Sequence, residues 1–486
     1  MALNTSIESL PAELLYRVFS FVDEKKSIQQ SRLVSHQFKD VASSFLITKT
    51  HVYVSSECIS KLEELCDHPV YSKSITRVNI NISCYDVDMA SNRALYMEDC
   101  HTRLFQLVDM FDRIRAYRYN MDEETWEETK ERLQELVTNE ELTKISEEDF
   151  EESSATPFQK LAMRLHAMYK QRCNDQESVR QGNKHIGRIC AALCKLPKLE
   201  ELSFYDAPGF VREKPKDSDF KDLTFDRTIL KHFNFALWPS KWCGTFTTAY
   251  SIVPPVEMLG ELCSQLGQHG IRPRSITMNL NAPANLRPIG LSSNQQSGLR
   301  SLVSKATRLR LVVDGWARKN SLAENNDRPR DEMLALCSFS QHFFSSPDLE
   351  SLYIHFVEYP RFYERPNVSL SDILPMQKPW PQLSDLELRY QAAKIDDLRA
   401  LVELQGDTVK NFNWECGWLL SGGWNEAIEV LRGFGSMEKL SMKFPRGERY
   451  GEGRGMHGEI PYDQIYSYIL KETDVNPLGY GNIADQ

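Results

Sequence analysis

The first apolar cluster of the chain has a helical period. Leu14, Leu15, Val18, Phe19 and Val22 fall at i, i+1, i+4, i+5 and i+8, which makes one wide apolar stripe. Pro11 suits the first helical position, where its missing N–H costs nothing, and Glu13 suits the positive end of the helix dipole. Ser27 is placed to cap a short helix carrying Ile28 and Leu33, and Ser35 another carrying Phe38, Val41, Ala42 and Phe45. Three short helices in about 40 residues cannot bury a self-sufficient core. They must dock on the rest of the chain or be completed by a partner.

From Lys49 onward the period changes. One short pattern returns: apolar, two residues, apolar, one residue, apolar. It occurs at 50–54, 75–80, 199–204, 276–280, 306–311, 349–354, 383–388, 409–414 and 437–442. Helix-like segments lie between several instances, as at Cys58 to Cys66 and Ile395 to Leu404. The positions that alternate with the apolar ones are mostly polar, among them Arg77, Asn79, Asn81, Arg308, Arg310, Tyr353, His355, Glu387 and Arg389. Strand side chains have period two, so these residues share the face opposite the apolar one. A sheet covered on both faces would read as continuous apolar runs instead. A strand followed by a helix, repeated at irregular intervals, resembles an irregular leucine-rich-repeat solenoid, whose units stack to bury their apolar faces. The plain alternative is a conventional α/β domain with Leu-rich strands.

The front segment carries a second resemblance. Leu10-Pro11-x-Glu13-Leu14-Leu15-x-x-Val18-Phe19-x-x-Val22, followed by Arg32-Leu33-Val34-Ser35-x-x-Phe38-x-x-Val41-Ala42, closely resembles the F-box, particularly the versions of large fungal families. In that family the motif binds a Skp-type adaptor and, through it, a cullin ubiquitin ligase. The resemblance implies that Leu10, Pro11, Leu14, Leu15, Val18, Phe19, Ile28, Leu33, Val34 and Phe38 form the adaptor-facing or motif-core set. Two positions depart from the pattern. Phe38 stands where many members carry Trp, and Ser27-Ile28-Gln29 where many carry an acidic-Leu-Leu run. The expected organisation is therefore a three-helix F-box (1–48), first repeats (49–86), a helical, partly acidic insertion (87–190), a leucine-rich-repeat-like solenoid (191–445), and a Gly-rich loop with a closing helix (446–486). In class terms this is an α+β or α/β chain.

Composition narrows the functional classes. At 486 residues the chain exceeds a usual single domain, and 41% hydrophobic with 26% charged residues describes an ordinary folded protein. No apolar run approaches 18 residues, so no transmembrane helix is expected, and the first residues lack the pattern of a secretory signal. Eleven cysteines, scattered without tight pairing, fit free thiols in a reducing compartment, the cytosol or nucleus. A formal net charge of −10 argues against general nucleic-acid affinity. Within Asp122 to Glu152, 14 acidic residues stand against three basic ones, a pattern of a solvated face or an interaction lid. Leu161, Leu165, Met168 and Tyr169 suggest a helix returning to the core, and 281–298 and 320–330 read as loops.

Signatures of catalytic chemistry are sparse along the chain. Gly453-x-Gly455-x-x-Gly458 matches a dinucleotide-binding pattern in the wrong context, since it sits in a basic loop and Pro461 follows shortly. His185, Cys190 and Cys194 have the residue types of a metal site without its spacing, and the two cysteines fit one buried helix face. No G-x-S-x-G, H-E-x-x-H or P-loop is present. Trp414, Trp418 and Trp424 read either as core or as an aromatic pocket for a target. Arg308 and Arg310, two apart on one strand face, are placed to grip a phosphate or carboxylate.

The expectation is a non-catalytic receptor without cofactor or metal. It binds a Skp-type adaptor through the front helices and an unidentified target protein through the polar face. Arg308, Arg310, Tyr353, His355, Arg389 and Trp418 are the candidate target contacts. No nucleic-acid or membrane partner is expected. An adaptor-bound scaffold without ligase output, or an enzyme with a site assembled from distant residues, are the other readings.

Overall fold

In a computed structural model of the chain, the described residues are 10–113, 155–206, 234–242, 254–314, 328–357, 368–443, 445–447 and 462–478, with Ile7, Glu127, Glu131, Gln134 and Glu135 as single positions. Nearly all of the acidic stretch 122–152, the glycine pattern at 453–458 and the first part of the loop at 320–330 lie outside them.

The front segment forms three helices, α1 (Ala12–Phe19), α2 (Lys25–Ser31) and α3 (His36–Ser43). Ser35 caps α3 as expected, its Oγ accepting from the Phe38 amide at 3.3 Å. Ser27 does not cap α2. That helix begins two residues earlier, after Glu24, and the Ser27 hydroxyl donates back to the Glu24 carboxylate. Pro11 occupies the N-cap of α1, one position before the first helical residue. Leu15, Phe19, Ile28, Phe38 and Ala42 are buried together, ringed by Leu10, Val22, Val41, Phe45 and Leu46. Phe19 meets Phe38 edge to face at 5.6 Å between ring centroids. This small core is separate from the main one.

Behind it the strands β1 (Lys49–Tyr53), β2 (Arg77–Asn81), β3 (Glu201–Tyr205), β4 (Ser275–Asn281), β5 (Arg308–Asp314), β6 (Ser351–Val357), β7 (Asp385–Arg389), β9 (Asn411–Glu415) and β11 (Lys439–Lys443) form one all-parallel sheet in chain order. Three two-residue strands, β8 (Ala392–Ala393), β10 (Trp418–Leu419) and β12 (Arg446–Gly447), form a second parallel sheet in the order β12-β10-β8. The apolar residues of the large sheet, such as Ile80, Phe204, Met278, Leu311, Ile354, Leu388 and Trp414, share one core with helices drawn from the connections. Those helices include Ser56–Asp67, Lys184–Leu193, Val256–Gln268, Ser293–Val303, Arg330–Phe343, Ile395–Gln405 and Trp424–Leu431.

This corrects the expected architecture. The chain folds as an α/β protein built on a nine-stranded parallel sheet, not as a three-helix F-box followed by a leucine-rich-repeat-like solenoid, and no solenoid is found among the described residues. The recurring apolar pattern reports only a parallel strand covered on one face. Equal stacked units would also need a regular interval. Here the interval between strand starts runs from 26 residues (385 to 411) to 124 (77 to 201).

A further apolar cluster joins Val87–Ser91, Arg93–Arg113 and Pro157–Arg180 to the turn Asn234–Leu237. The returning helix expected around Leu161 and Tyr169 lies in Pro157–Arg180, opened by a capping box between Thr156 and Gln159. The loop expected at 281–298 ends early. Ser292 and Gln295 form another capping box, so Gly298 sits inside Ser293–Val303. The glycine is there for close approach. A Cβ on Gly298 would lie 2.5 Å from the Ser264 carbonyl oxygen on the neighbouring helix.

Candidate functional site

Two surfaces remain after the core is accounted for. The first is on the front helices, where the ten candidate residues divide. Leu15, Phe19, Ile28 and Phe38 are buried and hold the three helices together. Leu14, Val18, Leu33 and Val34 are exposed, Leu33 by 88%, as is Pro11, and Leu10 is half-buried. Phe21, 78% exposed, joins the exposed set. Sequence reading missed it, although its spacing of three from Val18 is helical. Exposed large apolar side chains crowded into about 20 residues are unusual for a surface with no partner.

The second surface is the polar face of the large sheet. Strand register sets its rows. Arg308 on β5 stands beside Ser275 on β4 and Ser351 on β6, with Asp385, Asn411 and Lys439 following along the row. Two residues further along each strand, Thr277, Arg310, Tyr353, Glu387, Asn413 and Ser441 form the next row. These two rows line an open groove of about 960 Å³, with Glu201 at one end and Tyr466 from the helix Tyr462–Ile469 at the other.

Charge is unevenly distributed along the groove. The Arg310 guanidinium lies 3.8 Å from the centroid of the Tyr353 ring, a cation–π contact. Arg308 is 3.8 Å from Glu201, which also pairs with Arg77 at 3.2 Å. Glu387 pairs with Arg389 at 2.7 Å and accepts from Asn413 at 3.3 Å. Asp385 accepts from Asn411 at 2.6 Å and from the Ser384 hydroxyl at 2.5 Å, both neutral groups.

One row beyond the groove, His355 is stacked on Tyr390 at 5.4 Å, and its Nδ1 is 3.3 Å from the Tyr353 hydroxyl. Its Nε2 is buried with no partner. Burial, and then Arg389 and Arg310, push its pKa down to about 4, so the ring is neutral at pH 7. Burial likewise pushes the Tyr353 phenol up. Tyr390 adopts a left-handed backbone conformation (φ 52°) directly after β7, and Cys416 does the same (φ 51°) after β9. No residue-type signal announced these turns, because both positions ordinarily go to Gly or Asn.

Of the six candidate target contacts, the structure brings Arg308, Arg310 and Tyr353 into the groove. His355 and Arg389 lie beside it, and Trp418 belongs to the small sheet, half-buried with its Nε1 unpartnered. Trp414 and Trp424 are core residues with rings 5.3 Å apart, donating to the Gln391 and Arg446 carbonyls. Towards the later residues of β2 and β3 the polar face is covered. Asn79, Asn81 and Tyr205 are buried there, and His51 Nδ1 is 2.9 Å from the Tyr205 hydroxyl. His185 contacts the Met258 sulfur at 3.2 Å, and no group of metal-ligating side chains occurs among the described residues.

No protein-family model matches the chain, and no curated protein matches it.

Proposed function

We propose that the chain is a non-catalytic receptor subunit of a cullin-type ubiquitin ligase. Its front helices bind a Skp-type adaptor, and its polar sheet face holds a target protein. The reading rests on the F-box resemblance, and the observation that carries it is the division of the front apolar residues. Leu15, Phe19, Ile28 and Phe38 are buried in the helices' own core, while Leu14, Val18, Phe21, Leu33 and Val34 are exposed. Covering five such side chains is a sizeable hydrophobic gain, about 1.5–3 kcal/mol for each fully buried one. The mechanism is proximity. The receptor raises the effective concentration of the target near the transfer machinery, and partner subunits do the chemistry. No cofactor is needed. Among the described residues no helix is long and apolar enough to cross a membrane. The reading places the protein in the cytosol or nucleus.

The test is a pull-down of a purified Skp-type adaptor with the full chain and with Leu33→Asp/Val34→Asp. Both residues are exposed, so the variant keeps the fold and loses the adaptor. Equal capture by the variant, or no capture by the unaltered chain, would overturn the reading.

A further inference from the structure

Arg308, Arg310 and Lys439 are the cations that line the groove, and the carboxylates around them are held by other donors. Glu201 pairs with Arg77 at 3.2 Å and lies 3.8 Å from Arg308. Glu387 and Glu415 both pair with Arg389, at 2.7 and 3.3 Å. Glu438 pairs with Lys410 at 2.9 Å, and Asp385 accepts from Asn411 and Ser384. The two groove arginines lean in opposite directions. Arg308 reaches across β4 towards Glu201, whereas Arg310 lies on the ring of Tyr353, its neighbour on β6, at 3.8 Å. Among the described residues no carboxylate or other acceptor holds the Arg310 guanidinium. Lys439 also lacks a carboxylate there, but no ring holds its ammonium. Tyr353 is itself fixed, its hydroxyl 3.3 Å from His355 Nδ1 and its ring centroid 5.7 Å from Arg389.

We infer that Arg310, and not Arg308, is the anchor of this face, and that it takes the carboxylate of an Asp or Glu side chain on the target protein. The inference rests on the proposal that this face receives the target. A guanidinium offers a carboxylate two parallel N–H groups, a pairing that an ammonium cannot make. The Tyr353 ring already holds the Arg310 guanidinium in place, so less side-chain freedom is lost when the pair forms. Thr277, the neighbour of Arg310 on β4, adds a hydroxyl to the lining. A phosphate receptor gathers several arginines. Here Arg308 and Arg389 are engaged by glutamates, which leaves one guanidinium for one carboxylate.

The experiment selects random twelve-residue peptides, displayed on phage, for binding to the purified full chain. The library is first depleted on Thr277→Trp, which fills the groove beside Arg310. The selected peptides should share an Asp or Glu, and replacing it by Asn or Gln should weaken binding about tenfold. That loss should persist on Arg308→Gln and vanish on Arg310→Gln. Tyr353→Leu should shrink it to about threefold without changing the affinity of the amide-bearing peptide. Selection of no groove peptide, selected peptides with no acidic position, or a loss equal on all three chains overturns the carboxylate anchor. A loss that vanishes on Arg308→Gln instead overturns the choice of Arg310. A phosphoserine-for-Glu peptide bound more than about tenfold tighter makes the ligand a phosphate and overturns the carboxylate. None of these measurements uses the adaptor, so their failure is distinct from a failure of the front helices to capture it.

Discussion

Leu14 and Leu15 are neighbours on α1 and have opposite surroundings: Leu14 is 49% exposed, whereas Leu15 is completely buried against the Phe19, Ile28 and Phe38 cluster. A substitution at Leu15 therefore tests the fold of the front helices, and one at Leu14 tests what docks on them. Leu15→Ala is expected to destabilise the three-helix unit by about 2–5 kcal/mol. Leu14→Asp should leave it intact and remove adaptor binding. Amide hydrogen exchange over residues 12–43 separates the two: fast exchange in Leu14→Asp would mean that Leu14 also belongs to the core. Changing both leucines together would confound the two roles.

Two glycines make opposite predictions for the same substitution. A Cβ on Gly298 would meet the Ser264 carbonyl oxygen and Cα at 2.5 and 2.6 Å, so Gly298→Ala forces apart the helices Val256–Gln268 and Ser293–Val303. The expected cost is about 1–3 kcal/mol, the usual range for overpacking. Gly187 lies within Lys184–Leu193 with nothing within 4 Å of a built Cβ. Gly187→Ala should stabilise by about 0.5–1 kcal/mol through helix propensity and lost chain entropy. Thermal unfolding of the two variants should move in opposite directions, and a neutral Gly298→Ala would show that the helix pair can separate freely.

The parts of the fold that the sequence revealed are those governed by local periodicity. Val78 and Ile80, Leu202 and Phe204, and Leu386 and Leu388 announced their strands because one covered face imposes a period of two. Leu161, Leu165 and Tyr169 announced their helix in the same way. The global arrangement was not legible. An identical strand signature serves any parallel sheet with one covered face, so the pattern overstated regularity and suggested a solenoid. The site was half legible. Arg308, Arg310 and Tyr353 could be placed on one face from spacing alone. That Asp385 lies in the same row as Arg308 depends on strand register across connections of very different length, which no local pattern encodes. Burial of Asn79 and Asn81 escaped for a related reason, because Tyr205 and His51, their neighbours across the sheet, come from other strands.

Asp206 joins strand ends that are far apart in sequence. Its carboxylate accepts from the Trp242 amide at 2.7 Å and from the amide and side-chain nitrogens of Asn281, both at 2.9 Å. It is fully buried, and burial pushes its pKa from the ordinary 3.8 up to about 6 in spite of these donors. The folded chain therefore binds a proton between about pH 4 and 6 that the unfolded chain does not. The stabilisation from this group is full below pH 4 and is lost as pH rises through 6. A shift of about two units sets its ceiling at about 3 kcal/mol. Asp206→Asn should flatten this dependence and leave the Trp242 amide facing an NH2 group. Urea unfolding at pH 4.5, 5.5 and 7 measures it, and an unchanged slope in the variant would place the Asp206 pKa near its ordinary value.

His355 has the opposite sign. Its ring lies between the Tyr390 face and the Tyr353 hydroxyl, with Arg389 and Arg310 as the nearby cations. Burial first, and the two guanidiniums second, lower its pKa from 6.5 to about 4. As pH falls from 6.5 towards 4, the unfolded chain takes up a proton that the folded chain refuses. Stability from this group is thus present above pH 6.5 and lost across that window, against the gain from Asp206. In an NMR titration of the folded chain the His355 imidazole should have its midpoint near pH 4. Arg389→Gln should move the midpoint upward only part of the way to 6.5, because burial, the larger cause, is untouched. A midpoint at or above 6 in the unaltered chain would mean that water reaches the ring, and the buried, unpartnered Nε2 beside the groove would then have a partner after all.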